Sequence, residues 1–314
     1  MERKLGAATR DAYGLTLVEL GKENPQVIVL DADLSKSTRT EYFGKAFPDR
    51  FIDIGIQEAN LVGIASGLAS CGKIPFISSF ACFLMNKGYE QIRMGVAFPN
   101  LNVKIVTSHG GISVGEDGAS QQSTEDFALA LTLPNFTVIV PADEASTQAL
   151  IRQSASLKGP VYLRTGRSKA PVVHNASTRF EIGKGILLKS GKDVTLAACG
   201  LMVFEALEAA DHLKRDGIEA AVVDLHTLKP IDEALLVSQA KKTGAFVVAE
   251  EHSALCGLGS RVAQILSEKC PVPVECVGVQ DTYAESASPE ELFQKYGLTS
   301  QNIAAAARRA VSRK

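Results

Sequence analysis

No C-x-x-C pair occurs among the six cysteines of this 314-residue chain, Cys71, Cys82, Cys199, Cys256, Cys270 and Cys276. That argues against a disulfide framework or a zinc ribbon and for buried, reduced thiols. No H-E-x-x-H joins the five scattered histidines, so no metal site is expected from this chain alone. No basic block stands out either. Lys and Arg total 33 against 35 Asp and Glu, and a net charge of −2 leaves no electrostatic footprint for nucleic acid. The longest apolar-looking run, Ile74 to Met85, is broken by serines and too short to span a bilayer. The stretch Met1 to Gly6 lacks the apolar centre of a signal peptide, so the cytoplasm is the expected location. Neither an internal repeat nor a low-complexity segment is visible.

What is present is a hydrophobic content of 46%, enough for substantial cores, arranged in two successive α/β alternations. The first runs through strands at Val27–Leu30, Phe51–Ile54, Ile74–Ser78, Val103–Thr107, Thr137–Val140 and Val161–Arg164. Helices are expected at Gln57–Ala69, Leu84–Ala97, Glu125–Leu131 and Glu144–Ala155, the last capped by Pro141-Ala142-Asp143. Periodicity breaks between Ser168 and Lys192, where Pro171, Asn175, Gly183, Gly185 and Gly191 fall. A second alternation follows, from a strand at Val194–Ala198 to two short helices at the C-terminus. The expected fold is therefore two α/β domains, residues 1–185 and 186–314, each a mostly parallel sheet flanked by helices.

Several stretches in this frame carry chemistry. In Asp53-Ile54-Gly55-Ile56-Gln57-Glu58, a lone acid follows an apolar strand and opens a helix of small and apolar residues, with nothing basic close by in sequence. Burial there favours its protonated form, so Glu58 is suited to sharing a proton with a heterocycle. A first-turn acid facing the helix dipole is the equally available reading. Phe80 and Phe83 stand three apart at a strand end, either as core or as a platform for a flat ring. His109 to Gly118 holds four glycines in ten residues, again directly after a strand. Its oxygen spacing excludes a calcium loop, while functional loops and ordinary ones both take this form. Arg164 and Arg167 end another strand as a surface salt bridge or as forks for phosphate or carboxylate. Cys256-Gly257-Leu258-Gly259 opens like a dinucleotide fingerprint, but Val262 occupies the third glycine position. Gly63 and Gly67 share one face of the helix after Glu58, allowing another helix to approach closely.

In this order, Gly55-Ile56-Gln57-Glu58, Ser79-Phe80-Ala81-Cys82-Phe83, His109 through Gly118, Pro141-Ala142-Asp143, Leu163-Arg164-Thr165-Gly166-Arg167 and Asp224-Leu225-His226-Thr227-Leu228-Lys229-Pro230 resemble the C-terminal half of transketolases, over essentially the whole chain. The resemblance implies a pyrimidine-binding domain followed by a transketolase C-terminal domain. It also implies a thiamine diphosphate enzyme that moves a two-carbon ketol unit between sugar phosphates. Glu58 matches the glutamate that contacts the aminopyrimidine ring nitrogen. Phe80 and Phe83 match aromatics around that ring, Gln121 matches a position near the cofactor that is His or Gln in the family, and Asp33 matches an acid lining the same region. Asp117 matches the acid that reads a sugar hydroxyl. His109, Arg10, Ser37 and Arg167 match groups that hold the sugar chain and its phosphate. Asn86 stands where the family often has an aromatic.

Full-length transketolases bind magnesium and the diphosphate on an N-terminal domain with a Gly-Asp-Gly motif and a later Asn. Gly115-Glu116-Asp117-Gly118 is not that motif. The resemblance thus implies one subunit of a split enzyme, with a separate N-terminal subunit holding Mg2+ and the diphosphate, two copies of each. Alternatives are the beta subunit of a 2-oxoacid dehydrogenase, a deoxyxylulose phosphate synthase, which normally keeps both halves in one chain, and a catalytically idle structural or regulatory subunit.

Overall fold

A computed structural model describes residues 3–175 and 177–314. Fourteen strands are formed among them: β1 (Leu5–Ala8), β2 (Val27–Asp31), β3 (Phe51–Asp53), β4 (Ile74–Ser78), β5 (Lys104–Thr107), β6 (Thr137–Ile139), β7 (Val161–Arg164), β8 (Lys169–Pro171), β9 (Ile186–Lys189), β10 (Val194–Ala198), β11 (Ala220–Asp224), β12 (Thr227–Lys229), β13 (Phe246–Ser253) and β14 (Val274–Val279). The larger sheet has the order β12-β6-β7-β5-β4-β2-β3, the smaller β14-β13-β10-β11-β9, and β1 pairs with β8 as a separate ribbon. Only β12 and β9 run antiparallel to their sheets. Val27, Val29 and Leu30 on β2, and Val194 to Ala198 on β10, are buried on both faces. Continuous apolar strands of this kind need helices on both sides, which is the observed layering.

The expected strands and most helices are present, with shifts of one to three residues at their ends. Asp143 caps the helix Glu144–Ser156, its carboxylate accepting from the Ser146 amide while the Ser146 hydroxyl donates back to it; such a cap contributes roughly 1 kcal/mol. The helix expected over 84–97 is instead three pieces, Ala81–Lys87, Tyr89–Gln91 and a π-helical turn Ile92–Ala97. Gly88 marks the break. A Cβ there would meet the Leu84 carbonyl at 2.8 Å and Val62 at 3.2 Å, so only glycine lets this segment lie against the helix Glu58–Ser70.

The smaller strands β1, β8, β9 and β12 were outside the expected set. β12 comes from the second half of the chain yet closes the edge of the first sheet beside β6. One hydrophobic core runs under both sheets, a single cluster that holds Leu133, Val138 and Val140 together with Leu225, Leu228, Phe246 and Leu258. All six cysteines are free, but only Cys82 and Cys199 are buried, which corrects the expectation of a buried set. Among the described residues no helix is long and apolar enough to cross a membrane.

Candidate functional site

The carboxyl ends of β2, β3, β4, β5 and β7 lie along one edge of the larger sheet, where parallel sheets place ligands. Each strand hands a candidate residue to that edge. Asp33 and Ser37 follow β2, Glu58 follows β3, Phe80 follows β4, His109 follows β5 and Arg167 follows β7.

Glu58 is the first residue of the helix Glu58–Ser70 and is only 3% exposed. Ser79 donates its hydroxyl to Glu58 Oε1 at 3.3 Å. The expectation of an acid without a basic neighbour holds only along the sequence, because Lys87 Nζ lies 3.7 Å from Glu58 Oε2. The same ammonium sits 4.7 Å over the Phe83 ring. Phe83 and Lys87 are four apart on one helix and so share a face, which was the available signal for this contact. Lys87 is 55% exposed, so the pair is solvent-screened and weak, and another donor can compete for the carboxylate.

Phe80 and Phe83 stack with centroids 5.4 Å apart and planes at 17°. The His109 ring stacks on Phe80 at 3.7 Å and 20°. A near-parallel row of three rings therefore begins beside Glu58 and ends among cations. Arg10 Nη1 donates to the Ser37 carbonyl at 2.9 Å and lies 3.4 Å from His109 Nε2. Arg has no acceptor, so Nε2 offers its lone pair and the neutral ring carries its proton on Nδ1, donated to Ser108 Oγ at 2.7 Å. Burial first, then Arg10, Arg167 and Arg39, push the His109 pKa down to about 3. Burial and the neighbouring Arg39 likewise lower Arg10. Arg39 had no place in the sequence reading. It sits at φ 71°, paired with Asp11 at 2.5 Å, and joins this cluster through a backbone turn that local pattern does not reveal.

Arg167 donates to the Val114 carbonyl at 2.5 Å and pairs with Glu116 at 2.8 Å. It thereby ties the strand end to the short helical turn Gly115–Asp117, on which Asp117 is exposed. Arg164 fits neither reading offered for it: it is buried, 3.5 Å from Asp126 and 3.6 Å from Glu251. Gln121 meets the helix that carries Phe83, its backbone carbonyl accepting from Cys82 Sγ at 3.2 Å. Asp33 lies in the turn after β2. It is exposed at φ 62°, its amide bonded to Asp53 Oδ1 at 2.9 Å. Asn86 donates to Glu125 Oε1 at 2.7 Å. Among the described residues no cluster of three or more His, Cys, Asp or Glu could hold a metal ion.

Chemically, the site offers a buried carboxylate beside flat aromatic faces and, a ring away, a neutral imidazole among three guanidinium groups. The first half fits an aminated flat heterocycle: Glu58 can meet a ring nitrogen, and Phe83, partly exposed, offers a face. The second half fits a hydroxylated anion.

Residues 6–172 match the transketolase pyrimidine binding domain, and residues 183–303 match the transketolase C-terminal domain. The chain is 46% identical over 299 residues to a protein of Methanocaldococcus jannaschii named "Putative transketolase C-terminal section", covering 94% of this chain and 93% of that protein. It is 41% identical over 305 residues to a 6-deoxy-6-sulfo-D-fructose transketolase subunit of a Clostridium species, covering 97% and 95%. A solved structure described as a split gene transketolase, inactive beta4 tetramer, is 54% identical with a TM-score of 0.93, covering 98% of this chain and 100% of that one.

Proposed function

The chain belongs to the transketolase family, among the C-terminal subunits of split transketolases, and from that premise we propose that it transfers a two-carbon ketol unit between sugar phosphates together with a separate diphosphate-binding subunit. The observation that carries this reading is the adjacency, on one sheet edge, of Glu58 with its aromatic row and of His109 with its three guanidinium neighbours. Glu58, Phe80 and Phe83 would hold the pyrimidine of thiamine diphosphate, with Gln121 and Asp33 at its margin. Bound thiamine diphosphate supplies the electron sink needed to break and form a carbon–carbon bond beside a carbonyl. Glu58 shares a proton at the ring nitrogen in place of its weak tie to Lys87. His109 accepts a sugar hydroxyl at Nε2, Asp117 reads another hydroxyl, and Arg10 and Arg167 neutralise the phosphate beside Ser37.

The partner would hold Mg2+ and the diphosphate, in an assembly of two plus two. The helix Glu58–Ser70 supports an interface: Cβ atoms added at Gly63 or Gly67 would meet nothing within 4 Å, and Ile56, Met94 and Phe98 nearby are exposed. We propose residues 1–185 and 186–314 as the two domains. Sulfur-bearing sugars, as in the name of the Clostridium relative, are a variant of the same substrate class. The test is reconstitution of the purified chain with a candidate partner, assayed with xylulose 5-phosphate and with pyruvate. Ketol transfer from the sugar phosphate is expected. Turnover of pyruvate alone points to a 2-oxoacid dehydrogenase subunit, and neither cofactor binding nor turnover overturns the reading.

A further inference from the structure

The loop from His109 to Gly118 is held from outside its own domain. Glu251, on β13 of the second sheet, accepts the Ser113 amide on Oε1 at 2.5 Å. Arg164 secures that carboxylate: its Nη2 lies 3.6 Å from Glu251 Oε2 and donates to the Glu251 carbonyl at 2.8 Å. Arg164 is fixed in turn by Asp126 and by the Phe127 ring 4.5 Å beneath its guanidinium. The loop runs directly over this pair. A Cβ on Gly110 would come 2.0 Å from Arg164, and one on Gly111, at φ 78°, 2.2 Å from both Arg164 and Glu251. Two further braces come from the same half of the chain. Gln122 Nε2 donates to the Glu285 carbonyl at 3.0 Å, and Ser286 donates its hydroxyl to the Glu116 carbonyl.

Two domains that share an apolar core do not need a buried acid to stay together, since apolar packing of the same volume usually does so at less cost. What a carboxylate adds is a directional acceptor for one particular amide. We propose that Glu251 is a positioning residue, through which the second domain sets the backbone path of the loop that carries His109 and Asp117. This rests on the reading of those two residues as sugar-phosphate contacts. Glu251 touches neither cofactor nor substrate; it acts through Ser113. The second domain thus contributes to substrate recognition without lining the pocket.

The test uses the reconstituted pair of subunits, with KM for xylulose 5-phosphate, kcat and the dissociation constant of thiamine diphosphate measured for each variant. Glu251→Met keeps the volume and removes the acceptor; Glu251→Gln keeps both. Losing a charge-assisted hydrogen bond to the loop is expected to raise KM by about tenfold in the methionine variant and by no more than about twofold in the glutamine variant. Cofactor affinity should stay within about twofold in both, since Glu58 and Phe83 lie on helices outside the loop that Glu251 holds. A parent-like KM in Glu251→Met overturns the proposal. So does an equal loss of sugar and cofactor affinity, which marks general support of the fold. If Glu251→Met fails to fold, Glu251→Asp decides, since it keeps the charge and withdraws the carboxylate from the Ser113 amide: a KM raised by roughly threefold with cofactor affinity unchanged supports the proposal, and an unchanged KM rejects it. A parent pair inactive on sugar phosphates refutes the functional reading itself, before any variant is compared.

Discussion

His109 supplies a prediction whose size follows from its surroundings. Its ring is 2% exposed, stacked on Phe80 and faced by Arg10, and its pKa lies near 3 against an ordinary 6.5. Between those values the unfolded chain holds a proton on this ring and the folded chain does not. Stability from this group is therefore fully present above pH 6.5 and is lost as the pH falls toward 3. Going from pH 7.5 to pH 5.0, the unfolded imidazole gains a proton worth about 2 kcal/mol that the folded site refuses, at 1.36 kcal/mol per unit. Urea unfolding of the parent and of His109→Gln at both pH values isolates this amount, because other groups cancel in the double difference. Asp31 is one of them. Burial raises its carboxyl to about 6, so its contribution falls as the pH rises from 3.8 through 6, opposite in sign to that of His109. The parent should lose about 2 kcal/mol more than the variant on acidification. A double difference below about 0.5 kcal/mol means that the folded site admits a proton readily, and the cationic surroundings inferred for His109 are then wrong.

Other outcomes follow from the same geometry. Glu58→Gln in the reconstituted pair should lower turnover by at least about a hundredfold while leaving assembly intact by sedimentation; retained turnover favours an idle subunit. Arg164→Met leaves Asp126 and Glu251 buried without their cation and should cost about 3–5 kcal/mol in chemical denaturation, with a loss below 1 kcal/mol counting against the buried pairing. Gly67→Arg faces open space and replaces a helical glycine, so the isolated chain should hold or gain about 1 kcal/mol of stability. Its association with the partner should weaken on analytical ultracentrifugation; unchanged association removes that face from the interface.

The strands were legible because they are long apolar runs between glycine and proline breaks, and the residues at their carboxyl ends were legible for the same reason. Glu58, Phe80, His109 and Arg167 all follow strands that periodicity finds. Lys87, Arg39 and Glu251 were not singled out, because each meets the site through chain folding rather than through spacing. Arg164 was misread because its partner Glu251 lies 87 residues away, in the other sheet. The short strands β8 and β12 carry Lys169, Pro171 and Lys229 in place of an apolar run, and only tertiary pairing defines them.

The placement of β12 has a consequence for how the chain can be divided. Because a segment near residue 228 covers the flank of β6, a fragment stopping at residue 185 would bare a row of unpaired amides and carbonyls there. Such a truncated piece is a template for sticking to its own kind. Expressed alone, the fragment 1–185 is expected to aggregate, and light scattering that shows a monodisperse monomer would count against this role of β12.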